Sequence, residues 1–112
     1  MKFLKTLATA LGLSMSLDQL ELANRQSIND VILEHENKTG KNFIGGEFLI
    51  EHVSDRVFRC SYRLFFQDAK GGIEEVASTS GDYNAKHLSE EARAELKAEK
   101  IIKYEIDEPF RN

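Results

Sequence analysis

Two runs of alternating residues constrain this chain more than any other feature. Between residues 48 and 66 the even-numbered positions are mostly apolar, while the odd-numbered positions mix charged and apolar side chains. A period of two is typical of a β-strand that buries one face. The alternation is interrupted only at Ser54, Asp55 and Arg56. The pattern therefore predicts a β-hairpin with a three-residue turn, whose even face forms the floor of the core.

The register of this hairpin is also predicted. Both runs share parity, so the even-numbered residues form one face only if the paired residue numbers sum to an even value. Of three sterically reasonable registers, one places Glu51 opposite Arg59 and Glu47 opposite Arg63. Opposite charges across two strands are mildly stabilising, and the neighbouring registers lose both pairs. The turn is the weak point, because it offers no glycine or asparagine for a left-handed position.

A helix is predicted before the hairpin. Ser16 and Gln19 have the spacing of a capping box, and Gly40 is well placed to end the helix. Residues 37–46 are polar and glycine-bearing, which predicts a loop. The apolar positions of the helix lie along one broad face: Leu17, Leu20, Ala23, Ile28, Val31 and Ile32.

The remaining segments complete an α+β domain. Residues 68–72 predict a second turn, residues 73–78 a third strand, and residues 102–106 a last strand that Pro109 stops. A helix begins near Asn84 or Ser89, with Ala85, Leu88, Ala92 and Leu96 turned inward. We expect one domain over residues 1–112 with the order α-α-β-β-β-α-β. Its antiparallel sheet would have three to four strands, with helices packed mainly on one face.

The N-terminal residues 1–12 predict a short amphipathic helix that is peripheral to the domain. Its apolar positions are Phe3, Leu4, Leu7, Ala8 and Leu11, and Gly12 ends the pattern. We expect it to pack on the sheet or on a second copy, with attachment to an anionic membrane as the alternative. The apolar run after Lys5 is too short for a signal peptide, and no window approaches a transmembrane span. The chain is expected to be cytoplasmic and uncleaved.

Composition excludes some classes of function but does not identify one. The chain has 112 residues and a net charge of −4, which disfavours broad attraction to nucleic acid or anionic lipid. The single cysteine, Cys60, excludes an intramolecular disulfide and suggests a reducing compartment.

No catalytic or cofactor-binding constellation is recognisable. Cys60 lies on the predicted apolar face, where a thiol is inert core packing rather than a nucleophile. His35, His52 and His87 lack metal-ligand spacing, and the glycine doublets lack the context of a phosphate-binding loop. We therefore predict no enzyme activity, no metal, no cofactor and no small-molecule ligand.

Residues 16–96 resemble a double-stranded-RNA-binding domain in the order α-β-β-β-α. The local similarity rests on Val57-Phe58-Arg59-Cys60 in the second strand and on Ala85-Lys86-His87-Leu88, which open the last helix. The resemblance implies phosphate contacts from a lysine cluster at the start of that helix. This chain has one lysine there, beside Asp82, and the helix that follows is acidic. Shape-based RNA recognition needs cations that face the phosphates.

The leading hypothesis is a non-catalytic protein-binding or regulatory module that acts through the odd face of the hairpin or through the N-terminal helix. The proposed binding residues are Glu47, Glu51, Arg59, Arg63 and Phe65. Their mixture of apolar and charged side chains is typical of an interface, and the partner would be another protein or a second copy forming a homodimer. The alternatives are a degenerate RNA-binding domain and a small cysteine-dependent enzyme.

Overall fold

The computed structural model describes residues 14–107, which form two helices and one antiparallel sheet. The elements are α1 (Leu17–Thr39), β1 (Asn42–Ser54), β2 (Val57–Gln67), β3 (Ile73–Thr79), β4 (Tyr83–Asn84), α2 (Glu90–Glu99) and β5 (Ile101–Ile106). The strand order is β3-β2-β1-β5, and β4 pairs with β2 beyond the end of β3. The α+β class is confirmed; the two-residue β4 was not predicted. The predicted N-terminal helix and Pro109 lie outside the described residues.

The register of the β1–β2 hairpin is the one predicted. Glu47 pairs with Arg63, and Glu51 pairs with Arg59. We call the helix side of this hairpin the covered face. Its side chains are fully or almost fully buried: Phe48, Ile50, Phe58, Cys60, Tyr62, Leu64 and Phe66.

The turn of the hairpin differs from the prediction. Ser54 pairs with Val57, so the turn contains two residues, Asp55 and Arg56, instead of three. The pairing shifts between His52 and Ser54, which leaves Val53 as the extra residue of a β-bulge. A bulge adds local twist and changes the loop length that a given register requires. The three-residue turn was therefore wrong, although the register was right.

The predicted loop at residues 37–46 was also wrong. Helix α1 continues to Thr39 and strand β1 already begins at Asn42. Gly40 caps the helix in the left-handed conformation, with φ of 72°, which reverses the chain within two residues. Gly46 belongs to the strand, where a Cβ atom would lie 2.4 Å from the carbonyl oxygen of Arg63. Glycine at this position reflects close backbone approach rather than a loop.

Both helices bury their apolar sides on the covered face. The Ser16 side chain and the Gln19 side chain form the predicted capping box at the start of α1. Ser89 caps α2, while Asn84 caps a single 3₁₀ turn before it, so the two predicted helix starts belong to different elements. The residues predicted to turn inward from this segment are all buried: Ala85, Leu88, Ala92 and Leu96.

Strand β5 follows α2 with only Lys100 between them. Lys100 adopts a left-handed backbone conformation, with φ of 71°, which turns the chain from the helix directly into the strand. β5 then pairs antiparallel with β1, with Leu49 opposite Lys103 and Phe48 opposite Tyr104. The last strand thus becomes one edge of the sheet, and β3 becomes the other.

Candidate interaction face

The side of the sheet opposite the helices carries every binding residue that the sequence predicted. We call it the open face, because no element within residues 14–107 packs across it. Odd-numbered residues of four strands form it. From β1 and β2 these are Glu47, Leu49, Glu51, Arg59, Ser61, Arg63 and Phe65; from β3 they are Glu75, Ala77 and Thr79; from β5 they are Ile101, Lys103 and Glu105.

Arg59 lies between two carboxylates. Its Nη2 atom is 2.7 Å from Oδ1 of Asp82, and its Nη1 atom is 3.4 Å from Oε1 of Glu51. The hydrogen bond and charge of Asp82 raise the pKa of the guanidinium above its ordinary value. Glu51 was predicted from the hairpin register. Asp82 was not, because it reaches Arg59 from the segment after β3, whose path the local pattern does not determine.

Arg63 repeats this arrangement four residues further along β2. Its Nε atom is 2.6 Å from Glu75 Oε1, and its Nη1 atom is 3.5 Å from Glu47 Oε1. Glu75 raises the pKa of the Arg63 guanidinium, chiefly through the hydrogen bond. The guanidinium carbon also lies 5.4 Å from the centre of the Phe65 ring, within cation–π range. The structure therefore brings Arg63, Phe65 and Glu47 together as one cluster.

The charge balance of the open face is negative. Its cations are Arg59, Arg63 and Lys103, and its carboxylates are Glu47, Glu51, Glu75, Asp82 and Glu105. Three cations against five carboxylates leave a surplus of two negative charges. Because each arginine is shared between two carboxylates, each cluster retains a carboxylate charge that a further cation can neutralise.

A shallow depression lies at the centre of the open face. It has a volume of about 230 Å³, and Leu49, Ser61, Thr79 and Ile101 line it. The small side chains of Ser61 and Thr79 leave room there, while Ile101 is half exposed at the rim, with 52% of its surface accessible. The depression can accept an apolar side chain, and Glu51 and Arg59 stand beside it.

Cys60 points the other way, into the core. Its side chain is fully buried, and desolvation raises the pKa of its thiol to about 12. A thiol with such a pKa carries almost no thiolate at neutral pH, and the thiolate is the nucleophile. His52, at the margin of the core, has its Nε2 atom 3.4 Å from Asp55 Oδ1 without hydrogen-bond geometry. Cys60 is therefore a packed core residue, and His52 lies at the edge of that core.

A second concavity lies between α1 and β5. It has a volume of about 290 Å³ and a partly apolar wall that includes Ile28, Phe48 and Ile106. Asn29 also lines it; this side chain is 5% exposed, and its Oδ1 atom has no hydrogen-bond partner among residues 14–107. Sequence reasoning missed this polar position, as it missed the buried Glu21 and Asn24 of the same helix, because polar residues that share the inward side with apolar ones leave no periodic signal.

Residues 14–107 contain neither a metal-binding cluster nor a membrane-spanning helix. No group of three or more His, Cys, Asp or Glu residues in positions 14–107 is placed to hold a metal ion. Neither α1 nor α2 is both long enough and apolar enough to cross a membrane. In comparisons with known proteins, no family model matches the chain, and no curated protein or solved structure matches it either. The open face therefore has to be interpreted from its own geometry.

Proposed function

We propose that the protein is a non-catalytic protein-binding module. Its open face docks a protein surface on which lysine or arginine stands next to an apolar side chain. The observation that carries this proposal is the sheet face that no element within residues 14–107 covers, where Glu51 and Arg59, the latter also bound by Asp82, line a depression. An apolar patch surrounded by charged residues is typical of an interaction site.

The charges favour a cationic partner. Each arginine cluster already contains one more carboxylate than cation, so an incoming ammonium or guanidinium group would find an acceptor without displacing Arg59 or Arg63. An incoming anion would compete with these carboxylates for the same guanidinium groups. Complementary charges of this kind raise the association rate and select the partner, and salt screens them.

The depression favours an apolar anchor. Interfaces gain most of their affinity from a few side chains that enter desolvated pockets near the centre. Leu49 and Thr79 offer such a position, and the neighbouring backbone is held by hydrogen bonds to strands on both sides. A site on a paired sheet is rigid, so little ordering is required on binding.

Peptide titration monitored by NMR tests the proposal. Peptides that carry Lys or Arg beside Leu or Phe are compared with peptides of the same composition in which Glu replaces the cation. The cationic peptides are expected to shift the resonances of Leu49, Ser61 and Thr79, with an affinity that falls as salt rises. Shifts confined to other surfaces, or equal binding of the acidic peptides, would contradict the proposal.

A matched pair of variants sharpens this test. Ser61→Arg fills the depression and neutralises the surplus negative charge of the Arg59 cluster beside it, and is expected to abolish peptide binding. Asn37→Arg adds the same side chain at an exposed position near the end of α1, far along the chain from the open face. Binding that survives Ser61→Arg, or is lost equally with Asn37→Arg, would overturn the assignment of the site to the open face.

RNA binding is the second candidate, favoured by one observation. Three consecutive strands form a meander, and both helices pack on the same side of it. This is the element order that the double-stranded-RNA-binding domains share. The cations needed at the start of α2 remain sparse: Lys86 is exposed in the 3₁₀ turn, with Glu90 and Glu91 in the first turn of the helix. A salt titration against duplex RNA tests this candidate, because absence of binding at low salt would exclude it.

A further inference from the structure

The outer edge of β5 presents unpaired backbone groups. The N–H of His52 donates to the carbonyl of Lys100, which sets the hydrogen-bonding phase of the β1–β5 pair. Because alternate residues of an antiparallel strand turn to the same neighbour, Ile102, Tyr104 and Ile106 bond to β1. The N–H and C=O groups of Ile101, Lys103 and Glu105 point away from the sheet. No strand within residues 14–107 pairs with this edge.

We propose that this edge pairs with β5 of a second copy of the chain, antiparallel about a two-fold axis at Tyr104. Lys103 then lies opposite Glu105 of the second copy, and Glu105 lies opposite Lys103 of the second copy. Ile102 lies opposite Ile106 in the same way. The two sheets become continuous, and self-complementary pairing of this kind is what a two-fold interface requires. This inference goes beyond the proposed function, because it uses the backbone edge of β5 rather than the depression, although Lys103 and Glu105 belong to the open face.

Hydrogen bonding and charge together select this register. The outward-pointing groups belong to odd-numbered residues, so odd must pair with odd. A shift of the two-fold axis by one residue toward Lys103 places that lysine opposite its own copy, and the opposite shift does the same for Glu105. Like charges directly opposite each other are destabilising. Each shifted register thus has one like-charge pair on the axis, and the Lys103–Asp107 pair of the second one falls beyond Ile106, where β5 ends. The register about Tyr104 has two opposite-charge pairs and no like-charge pair.

The other edge of the sheet lacks this complementarity. Strand β3 contains Glu74 and Glu75 but no lysine or arginine, so no self-pairing of β3 creates an opposite-charge pair. Glu74 is engaged by Lys41 and Glu75 by Arg63, whereas Lys103 and Glu105 bridge each other along β5 at 3.3 Å and can exchange that contact for the same one across the axis. Charged side chains on an edge strand oppose edge-to-edge association when like charges face each other. Of the two edges, β5 is therefore the one suited to a second copy.

The interface is small, so the dimer should be weak and depend on concentration. Five residues of β5 in each copy, 102–106, pair with one another, and interfaces below about 1,200 Å² of total buried area belong to the transient class. The half-exposed Ile101 would lose part of its contact with water, while Ile102 and Ile106 would extend the covered face across the two-fold axis.

Charge reversal tested by analytical ultracentrifugation distinguishes this register from the others. The wild type is expected to show a reversible monomer–dimer equilibrium. Lys103→Glu alone and Glu105→Lys alone each place like charges opposite each other twice, and each should raise the dimer Kd by at least about tenfold. An equimolar mixture of these two variants should form heterodimers, and the double variant Lys103→Glu/Glu105→Lys should dimerise like the wild type.

The design contains its own controls. Circular dichroism verifies folding, and formation of heterodimers in the mixture shows that both single variants fold. Lys86→Glu changes the same charge away from the edge and should leave the dimer Kd unchanged. A wild type that stays monomeric at millimolar concentration would overturn the proposal. So would single variants that dimerise like the wild type, or a double variant that fails to recover dimerisation. Failure here would leave peptide binding to the open face unaffected, so the two proposals are tested separately.

Discussion

Phe58 and Arg59 are consecutive residues of β2, yet their side chains lie in opposite environments. Phe58 is fully buried on the covered face, whereas Arg59 stands on the open face between Glu51 and Asp82. The covered face consists of apolar side chains whose sizes and shapes are constrained by close packing. The open face is built from paired charges around a shallow depression, which packing does not require. The covered face therefore specifies the fold, whereas recognition by the open face is our proposal.

The largest expected effect comes from removing a ring from each face. Phe58→Ala should destabilise the protein by about 3–5 kcal/mol, because it leaves a cavity in a fully buried position. Phe65→Ala removes the same ring from the open face of the same strand and should cost less than about 1 kcal/mol. Urea denaturation of both variants measures the contrast. Losses of equal size would show that the two faces are packed alike.

Removing an arginine from the open face should affect stability much less. Arg63→Ala breaks the contacts to Glu75 and Glu47, but exposed ion pairs contribute little net stability. The shift of the urea midpoint is expected to be less than about a fifth of that caused by Phe58→Ala. Salt should shrink the difference from wild type further. A loss comparable to Phe58→Ala would mean that the charge clusters, rather than the core, hold the hairpin together.

The smallest expected effect is a pH-dependent loss of thermal stability on replacing Glu74, compared with its neighbour Glu75. Glu74 accepts a hydrogen bond from His35, at 2.7 Å, and lies 3.1 Å from Lys41; together these lower the pKa of its carboxyl. A carboxyl whose pKa is lower in the folded state stabilises the protein at any pH above its pKa in the unfolded chain, which is about 4.3. This stabilisation is lost as the pH falls through the folded-state pKa.

Thermal denaturation of Glu74→Gln against pH measures this contribution. The variant should melt below wild type at neutral pH, and the gap should close as the pH falls through the folded-state pKa of Glu74 and its carboxyl becomes uncharged. Glu75→Gln serves as the matched control on the open face. A gap between Glu74→Gln and wild type that persists unchanged in acid would show that the Glu74 contacts do not depend on its charge.

Much of this architecture follows from local pattern, and the exceptions have physical causes. The hairpin register was predictable because parity and two charge pairs agree on one solution. The bulge at Val53 and the role of Gly46 were not, since both depend on how closely the backbones of two strands approach each other. The partners Asp82 and Glu75 were missed for a related reason. They come from segments whose position in the sheet is not determined by local periodicity. The position of β5 next to β1 could not be predicted for the same reason.

The central claim is that the open face is accessible while the covered face is not, and neighbouring thiols test it most directly. Cys60 and Ser61 point to opposite faces of β2. With Ser61→Cys in the full-length chain, labelling by a disulfide reagent at neutral pH should modify the introduced thiol at least about a hundredfold faster than Cys60 reacts in the wild type. Equal, slow labelling of both proteins would show that the open face is covered, and would contradict the account.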